Sequence, residues 1–79
     1  MARVLLFGRL ADLAGWRERE VAAATLGELR LAITALDADL AEALAGPSVQ
    51  VAVDKALVRG EAALAAGSEV AFLPPMSGG

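Results

Sequence analysis

The apolar residues near the two ends of the chain form short, nearly continuous runs. One is Val4-Leu5-Leu6-Phe7, and the other lies within Glu69 to Leu73. Such runs predict strands that are buried on both faces and lie in the middle of a sheet. Pro74-Pro75 ends the second run, because neither residue can donate a backbone hydrogen bond to a ladder.

Three further segments follow the two-residue period of strands. Arg17 to Ala22 mixes charged and apolar positions, which predicts an exposed strand at the edge of a sheet. Val49 to Val53 alternates valine with polar or small residues, which predicts a half-buried strand. A tight turn at Asp54-Lys55 then leads into a short strand, Leu57-Val58-Arg59.

Two segments have helical periodicity. Leu10 and Leu13, followed by Gly15, predict one or two helical turns over residues 9–14. A longer helix is predicted to begin at Thr25, because Thr25 and Glu28 have the spacing of a capping box. In such a box each side chain accepts a hydrogen bond from the backbone N–H of the other residue. The apolar stripe expected to face the core comprises Leu29, Ile33, Leu36 and Leu40.

The long helix should break near its end. Asp37 and Asp39 weaken it locally, and a second helical piece, Asp39 to Ala45, is expected to end at Gly46-Pro47. Arg30 and Thr34 are placed on the side opposite the apolar stripe. The predicted elements therefore run strand, short helix, strand, helix, short helix and three strands. This order predicts an α+β fold with one main helix packed on one face of a sheet of four to five strands.

Composition narrows the chemistry. The chain has 79 residues with no Cys and no His, so it offers neither a thiolate nor an imidazole for catalysis or metal binding. The scattered acids have no ligand spacing, and no metal site is expected. A net charge of −3 argues against nucleic-acid binding. The apolar runs are far shorter than a membrane span, so the expectation is a cytoplasmic protein without a membrane partner.

The last residues carry the most distinctive pattern. Pro74-Pro75 favours a stiff, extended exit from the sheet, and Met76-Ser77-Gly78-Gly79 follows. We expect a single domain over residues 1–75 and a flexible tail over residues 76–79. Gly-Gly has no side chains, so this backbone can pass through a narrow channel. A carboxylate at Gly79 is a poor acyl donor unless ATP activates it, and a partner would have to supply the phosphate-binding groups.

The ending Phe72-Leu73-Pro74-Pro75-Met76-Ser77-Gly78-Gly79 resembles the end of the small subunits of molybdopterin synthase. The resemblance continues upstream and covers essentially the whole chain. It includes the turn into the last strand at Gly67-Ser68, the preceding hairpin at Val51 to Val58, and the first strand. Leu73 and Met76 stand where this family often has Phe and Val, which leaves both positions apolar.

The resemblance implies a ubiquitin-like β-grasp fold with a mixed sheet, and a role as a sulfur carrier. It implies that an adenylyltransferase activates Gly79 with ATP and that a sulfur donor enzyme converts the adenylate to a thiocarboxylate. It also implies that Pro74, Pro75, Met76, Ser77 and Gly78 enter the large synthase subunit within a heterotetramer. There the sulfur passes to cyclic pyranopterin monophosphate, and the chain itself supplies no catalytic side chain and binds no cofactor.

Several assignments stay open. The same Gly79 chemistry suits a ubiquitin-like modifier joined to partner lysines, a sulfur carrier of another pathway such as thiamine synthesis, or an interaction domain with an inert tail. Leu57 and Leu73 match the partner-facing surface of the family, although core packing is the commoner use of a single Leu. Phe7 is expected in the core together with Val51 and Phe72. Trp16 is expected either to cover the core or to contact a partner.

Overall fold

A computed structural model describes residues 1–75. The predicted tail, Met76 to Gly79, lies outside the described residues. The strands are β1 (Ala2–Leu6), β2 (Glu18–Val21), β3 (Gln50–Val53), β4 (Ala56–Val58) and β5 (Glu69–Leu73). The helices are α1 (Arg9–Ala14), α2 (Leu26–Leu36) and α3 (Ala38–Leu44).

The five strands form one mixed sheet in the order β2-β1-β5-β3-β4. The central strands β1 and β5 run parallel, and the other neighbouring pairs are antiparallel. The predicted central position of the first and last strands is confirmed, and so is the edge position of β2. The first hairpin, α2 and the returning strands make this a β-grasp, the fold class expected from the sequence.

The helices cover one face of the sheet. Alternate residues of the central strands, such as Val4, Val70 and Phe72, are fully buried there. They form one cluster with buried residues of α1, α2 and α3, among them Leu10, Leu29, Ile33 and Leu40. Burial of these side chains is the main favourable contribution to the free energy of folding.

Burial of β1 on both faces was wrongly predicted. Leu5 is only half-buried, and Phe7, expected in the core, lies just beyond β1 with 46% of its surface exposed. The reason is that no described element covers the second face of the sheet. An apolar run therefore marks this strand as central, but here it does not mean that the chain itself buries both faces.

The start of α2 agrees with the predicted cap at one residue and differs at the other. Thr25 Oγ1 accepts a hydrogen bond from the Glu28 N–H at 3.1 Å, as expected. The Glu28 carboxylate instead accepts from the N–H of Ala24 at 2.9 Å, one residue before the predicted donor. The backbone of Thr25 instead forms an isolated antiparallel bridge with Ala63, a residue of the connection between β4 and β5.

The break between the two helical pieces is confirmed at Asp37, whose side chain caps α3 by accepting from the Leu40 N–H at 3.1 Å. Two side-chain placements on α2 were wrong. Leu36, the last residue of α2, is exposed because the buried stripe passes to Leu40 in α3. Arg30 does not point to solvent, since its guanidinium lies 5.3 Å from the centre of the buried Phe72 ring.

Candidate functional site

The root of the tail, which consists of Pro74 and Pro75, lies where the two central strands β1 and β5 end. Because β1 and β5 are parallel, Leu6 and Phe72 are neighbours and both strands finish at the same edge of the sheet. Gly8 has φ +56°, and a Cβ on it would lie 3.2 Å from Pro74 Cγ. A glycine at this position therefore lets the Pro74 ring pack against the backbone after β1. Pro74 and Pro75 are both half-buried.

The face of the sheet away from the helices, here called the open face, carries an apolar row across four strands. Strand register places Leu5 beside Ala71, Ala71 beside Ala52, and Ala52 beside Leu57. Leu57 is 63% exposed. Leu73 lies on the same face, two residues after Ala71 along β5 and so nearer the tail, and it pairs with Gln50 of β3.

The open face is charged at its opposite end. Arg3 on β1 lies 3.3 Å from the Glu18 carboxylate and 3.5 Å from that of Glu69. These groups are substantially exposed, so each pair contributes little to folding stability. These charged groups lie at the end of the open face away from Pro74 and Pro75. The apolar part of the open face therefore lies next to the root of the tail.

Both predicted partner-facing residues, Leu57 and Leu73, lie on the open face. Phe7, which was expected in the core, is a third exposed apolar residue, and it follows β1 at a position of the same parity as Arg3 and Leu5. Strand alternation was the signal that could have found it, because residues two apart share a face. Phe7 directly follows Leu6, the partner of Phe72, and thus adds exposed apolar surface near the tail root.

Trp16, left open by the sequence, packs against the core. It is half-buried beside the core cluster, and the Arg19 guanidinium lies 5.8 Å from its ring centre. Covering the core is therefore the role its surroundings support. Within residues 1–75 no group of acidic side chains could hold a metal ion, and none of the helices described is long and apolar enough to cross a membrane.

The carboxylates, guanidiniums and single Lys of the described domain are mostly scattered on the surface, although Asp12, Arg17 and Glu18 line an open pocket together with Phe7 and Gly8. What the fold does provide is a half-buried Pro-Pro segment at one edge of the sheet, directly beside an exposed apolar face.

Residues 4–79 match the ThiS family. The chain belongs to the ThiS family. It is 38% identical to the molybdopterin synthase sulfur carrier subunit of Escherichia coli, over 81 aligned positions that cover all of both chains.

Solved structures of similar proteins have the same fold. The small archaeal modifier protein 1 of Haloferax volcanii superposes with a TM-score of 0.87 at 30% identity, covering 99% of this chain and 98% of that one. A chain from the complex of subunits 1 and 2 of molybdopterin-converting factor from Helicobacter pylori superposes with a TM-score of 0.74 at 25% identity, covering 99% and 97%. Each aligns over nearly the whole β-grasp, tail root included.

Proposed function

We propose that this ThiS-family protein is the sulfur-carrier subunit of a molybdopterin synthase. The observation that carries the proposal is the tail root, where Pro74-Pro75 leaves the sheet beside an exposed apolar face. The E. coli relative, which aligns over its whole length, is named as such a subunit. The folded domain would provide the surface that partner proteins bind, and the reacting group would be the main-chain carboxyl of Gly79.

The proposed cycle has two activation steps. The Gly79 carboxylate attacks the α-phosphate of ATP on a separate adenylyltransferase, which releases pyrophosphate and leaves an acyl-adenylate. Sulfide-level sulfur supplied by a donor enzyme then attacks the acyl carbon, the bond to the AMP oxygen breaks, and AMP leaves a thiocarboxylate behind. Because the cycle uses ATP, we place it in the cytoplasm. The adenylyltransferase must bring Mg²⁺ and cationic groups, since this chain has no loop that could hold phosphates.

Transfer takes place on the large subunit. Four residues follow Pro75 and can extend about 13–14 Å, which is far enough to enter a channel while the domain stays outside it. The thiocarboxylate gives its sulfur to cyclic pyranopterin monophosphate, and water restores the carboxylate. Each carrier has one C-terminal carboxyl, so a dithiolene with two sulfur atoms consumes two loaded carriers.

The open face is the proposed docking surface for the large subunit. Leu57, Leu73 and Phe7 give it exposed apolar area next to the tail root. Burial of this apolar area against the large subunit would supply the main favourable contribution to the free energy of binding. The Arg3, Glu18 and Glu69 group would lie at the polar rim.

Intact mass spectrometry tests the first half of the proposal. The protein is incubated with its cognate adenylyltransferase, ATP and a sulfur donor, and a matched sample lacks ATP. The expected result is an ATP-dependent mass increase equal to the replacement of one oxygen by sulfur, absent from a chain lacking Gly79. No change in mass under conditions that load the E. coli relative would overturn the proposal.

A second candidate function is a protein modifier. The structural similarity to the modifier protein from H. volcanii favours it, and the same Gly79 adenylate would then acylate a Lys amine on another protein. The mass experiment separates the two when substrate proteins are present. Conjugation gives a series of heavier partners, whereas sulfur loading changes only this chain. A carrier for another pathway, such as thiamine synthesis, would load with sulfur and yet form no molybdopterin.

A further inference from the structure

A second apolar surface borders the tail root at Pro75, and Phe7 is not among the residues that line it. It is an open groove of about 540 Å³ between α1 and the connection from α3 to β3, here called the α1 groove. Leu13 of α1 is 51% exposed although it lines this groove. The lining residues are mainly apolar: Arg9, Leu10, Leu13, Ala43, Gly46, Pro47, Ser48, Val49 and Pro75.

The groove adjoins the point where the tail begins. Pro75, the last residue that the structure describes, forms part of its wall. A partner that encloses the tail must surround the chain as it leaves Pro75. The mouth of such a channel therefore meets both the open face and the α1 groove.

Charge indicates what the groove would accept. Of the described residues that line it, Arg9 is the only charged one, and none is a carboxylate. Among residues 1–75, no acidic group lies within ion-pair distance of Arg9, whereas Arg3 has two such partners. Arg9 thus offers a cation at the rim of an apolar groove, in a chain whose net charge is −3.

We infer that the α1 groove is a second docking surface for the large synthase subunit, and that it receives an apolar side chain next to a carboxylate at the mouth of the tail-accepting channel. The inference rests on the proposed function. Binding at both surfaces would fix the orientation of the domain on the large subunit, and with it the direction in which the tail enters the channel. With a single contact on the open face, the domain could still rotate about that contact.

The test measures affinity of the cognate large subunit for the full-length protein by titration calorimetry. Leu13→Glu puts a carboxylate in the groove, and Arg9→Glu reverses the charge at its rim. Leu31→Glu is the matched control, because Leu31 is an α2 residue that is 71% exposed and does not line the groove. Leu57→Glu reports on the open face. Thermal unfolding of each variant shows whether the domain is intact.

We expect Leu13→Glu to weaken binding about tenfold or more, because an apolar anchor is lost and a carboxylate is desolvated. Arg9→Glu should weaken binding most at low salt, since rim charges act chiefly on the rate of association. Leu31→Glu should bind like the unmodified protein. If Leu13→Glu lowers thermal stability substantially, the decision rests on Arg9→Glu, which changes only an exposed side chain.

The inference is overturned if Leu57→Glu weakens binding while Leu13→Glu and Arg9→Glu leave it unchanged. The proposed function would survive that result. Failure of the unmodified protein to bind any large subunit would count against the function itself. Light scattering gives one more outcome: a homodimer that Leu13→Glu dissociates would assign the groove to a second copy of the chain and refute its assignment to the large subunit.

Discussion

At the residue scale, the backbone N–H groups in the first turn of α2 donate hydrogen bonds to acceptors from a distant part of the sequence as well as to a neighbouring side chain. The first backbone N–H groups of a helix have no partner within it. Here the Leu26 N–H donates to the Ala62 carbonyl at 2.9 Å, and the Gly27 N–H donates to Glu61 Oε1 at 2.8 Å. The Glu28 N–H donates to Thr25 Oγ1, so each of these three groups has an acceptor.

Thr25→Ala removes one of these acceptors. Loss of an N-cap hydroxyl costs about 0.5–2 kcal/mol of folding free energy in comparable helices. We expect a loss in that range in urea unfolding followed by circular dichroism, with no effect on sulfur loading. Thr34→Ala is the control, because the exposed Thr34 hydroxyl only donates to the Arg30 carbonyl within the same helix. Equal stability of Thr25→Ala and the unmodified protein would contradict the capping role.

Glu61 makes part of this contact depend on pH. The Gly27 N–H above all, with that of Ala62, lowers the pKa of the Glu61 carboxyl below its ordinary 4.5. A lowered pKa in the folded state adds stability above the ordinary pKa, and that stability is lost as the pH falls through the lowered value. We therefore expect Glu61→Gln to be less stable than the unmodified protein at neutral pH. The difference should shrink in acid, as thermal melts across this range would show.

A constant difference between the two proteins from neutral to acidic pH would contradict the role of the ionised carboxylate. Glu42→Gln is a suitable control, because Glu42 is exposed on α3 and makes no ion pair within residues 1–75. Its stability should track that of the unmodified protein at each pH.

The two terminal glycines should resist change for different reasons. Deleting Gly79 moves the acyl carbon back by about 3.3–3.6 Å, and a misplacement of even about 1 Å can cost on the order of 100-fold in rate. Deletion should therefore abolish sulfur transfer. Gly78→Ala should impair it less, and Gly78→Val more than Gly78→Ala, because a side chain narrows the fit in a channel.

Molybdopterin formation with purified large subunit measures these tail variants, and their thermal stability should equal that of the unmodified chain. Normal transfer by Gly78→Val would contradict the narrow-channel argument while leaving the carrier role intact.

Individual contacts were the part of the structure least accessible from sequence. Thr25 was identified because a capping pattern is local, but Glu61 lies 34 positions from Gly27 and gave no local signal. Arg30 was placed on the solvent side by helical periodicity, whereas its long side chain reaches the Phe72 ring. Phe7 was assigned to the core from hydrophobicity alone, which does not reveal that one face of the sheet stays uncovered.

At the scale of elements, the open face makes the clearest prediction. Leu57→Glu changes an exposed residue of an edge strand, so folding stability should change by no more than about 0.5 kcal/mol. Its affinity for the large subunit should fall about tenfold or more if Leu57 is an interface anchor. Leu73→Glu should also weaken the complex without unfolding the domain. Calorimetric titration and thermal melts measure both, with Leu31→Glu as the control.

If Leu57→Glu or Leu73→Glu unfolds the domain, that residue belongs to the core and the docking assignment is wrong. Unchanged affinity in a folded variant would also refute its place in the interface. Leu73 is the more demanding case, because it is half-buried and directly precedes Pro74.

Most elements could be predicted because their signals are local. The alternation of Val49 to Val53 gave β3, and the turn at Asp54-Lys55 appears as two residues with positive φ, 49° and 73°. The helix break at Asp37 was predicted because Asp37 and Asp39 weaken a helix locally, and in the structure the Asp37 side chain caps α3. Exact ends were less accessible, as at β1, where backbone pairing stops at Leu6 although the apolar run continues to Phe7.

At the scale of the whole molecule, the strand order depends on pairings between distant parts of the chain. Hydrophobicity indicated that β1 and β5 are central, and the resemblance to a known family supplied the mixed sheet. The α1 groove could not be foreseen, because α1, the connection after α3 and Pro75 meet only in the folded chain. The position of the α1 groove beside Pro75 thus depends on tertiary structure and not on any single motif.

The central claim is that Gly79 carries sulfur to the molybdopterin precursor, and a single-turnover transfer reaction tests it most directly. Thiocarboxylated protein, made with isotopically labelled sulfur, is mixed with the large subunit and cyclic pyranopterin monophosphate, without ATP or a sulfur donor. We predict that the label enters molybdopterin, that two carriers return to the carboxylate for each product formed, and that carboxylate protein yields none. Product without label, or formed equally well by a chain lacking Gly79 after the same loading step, would contradict the account.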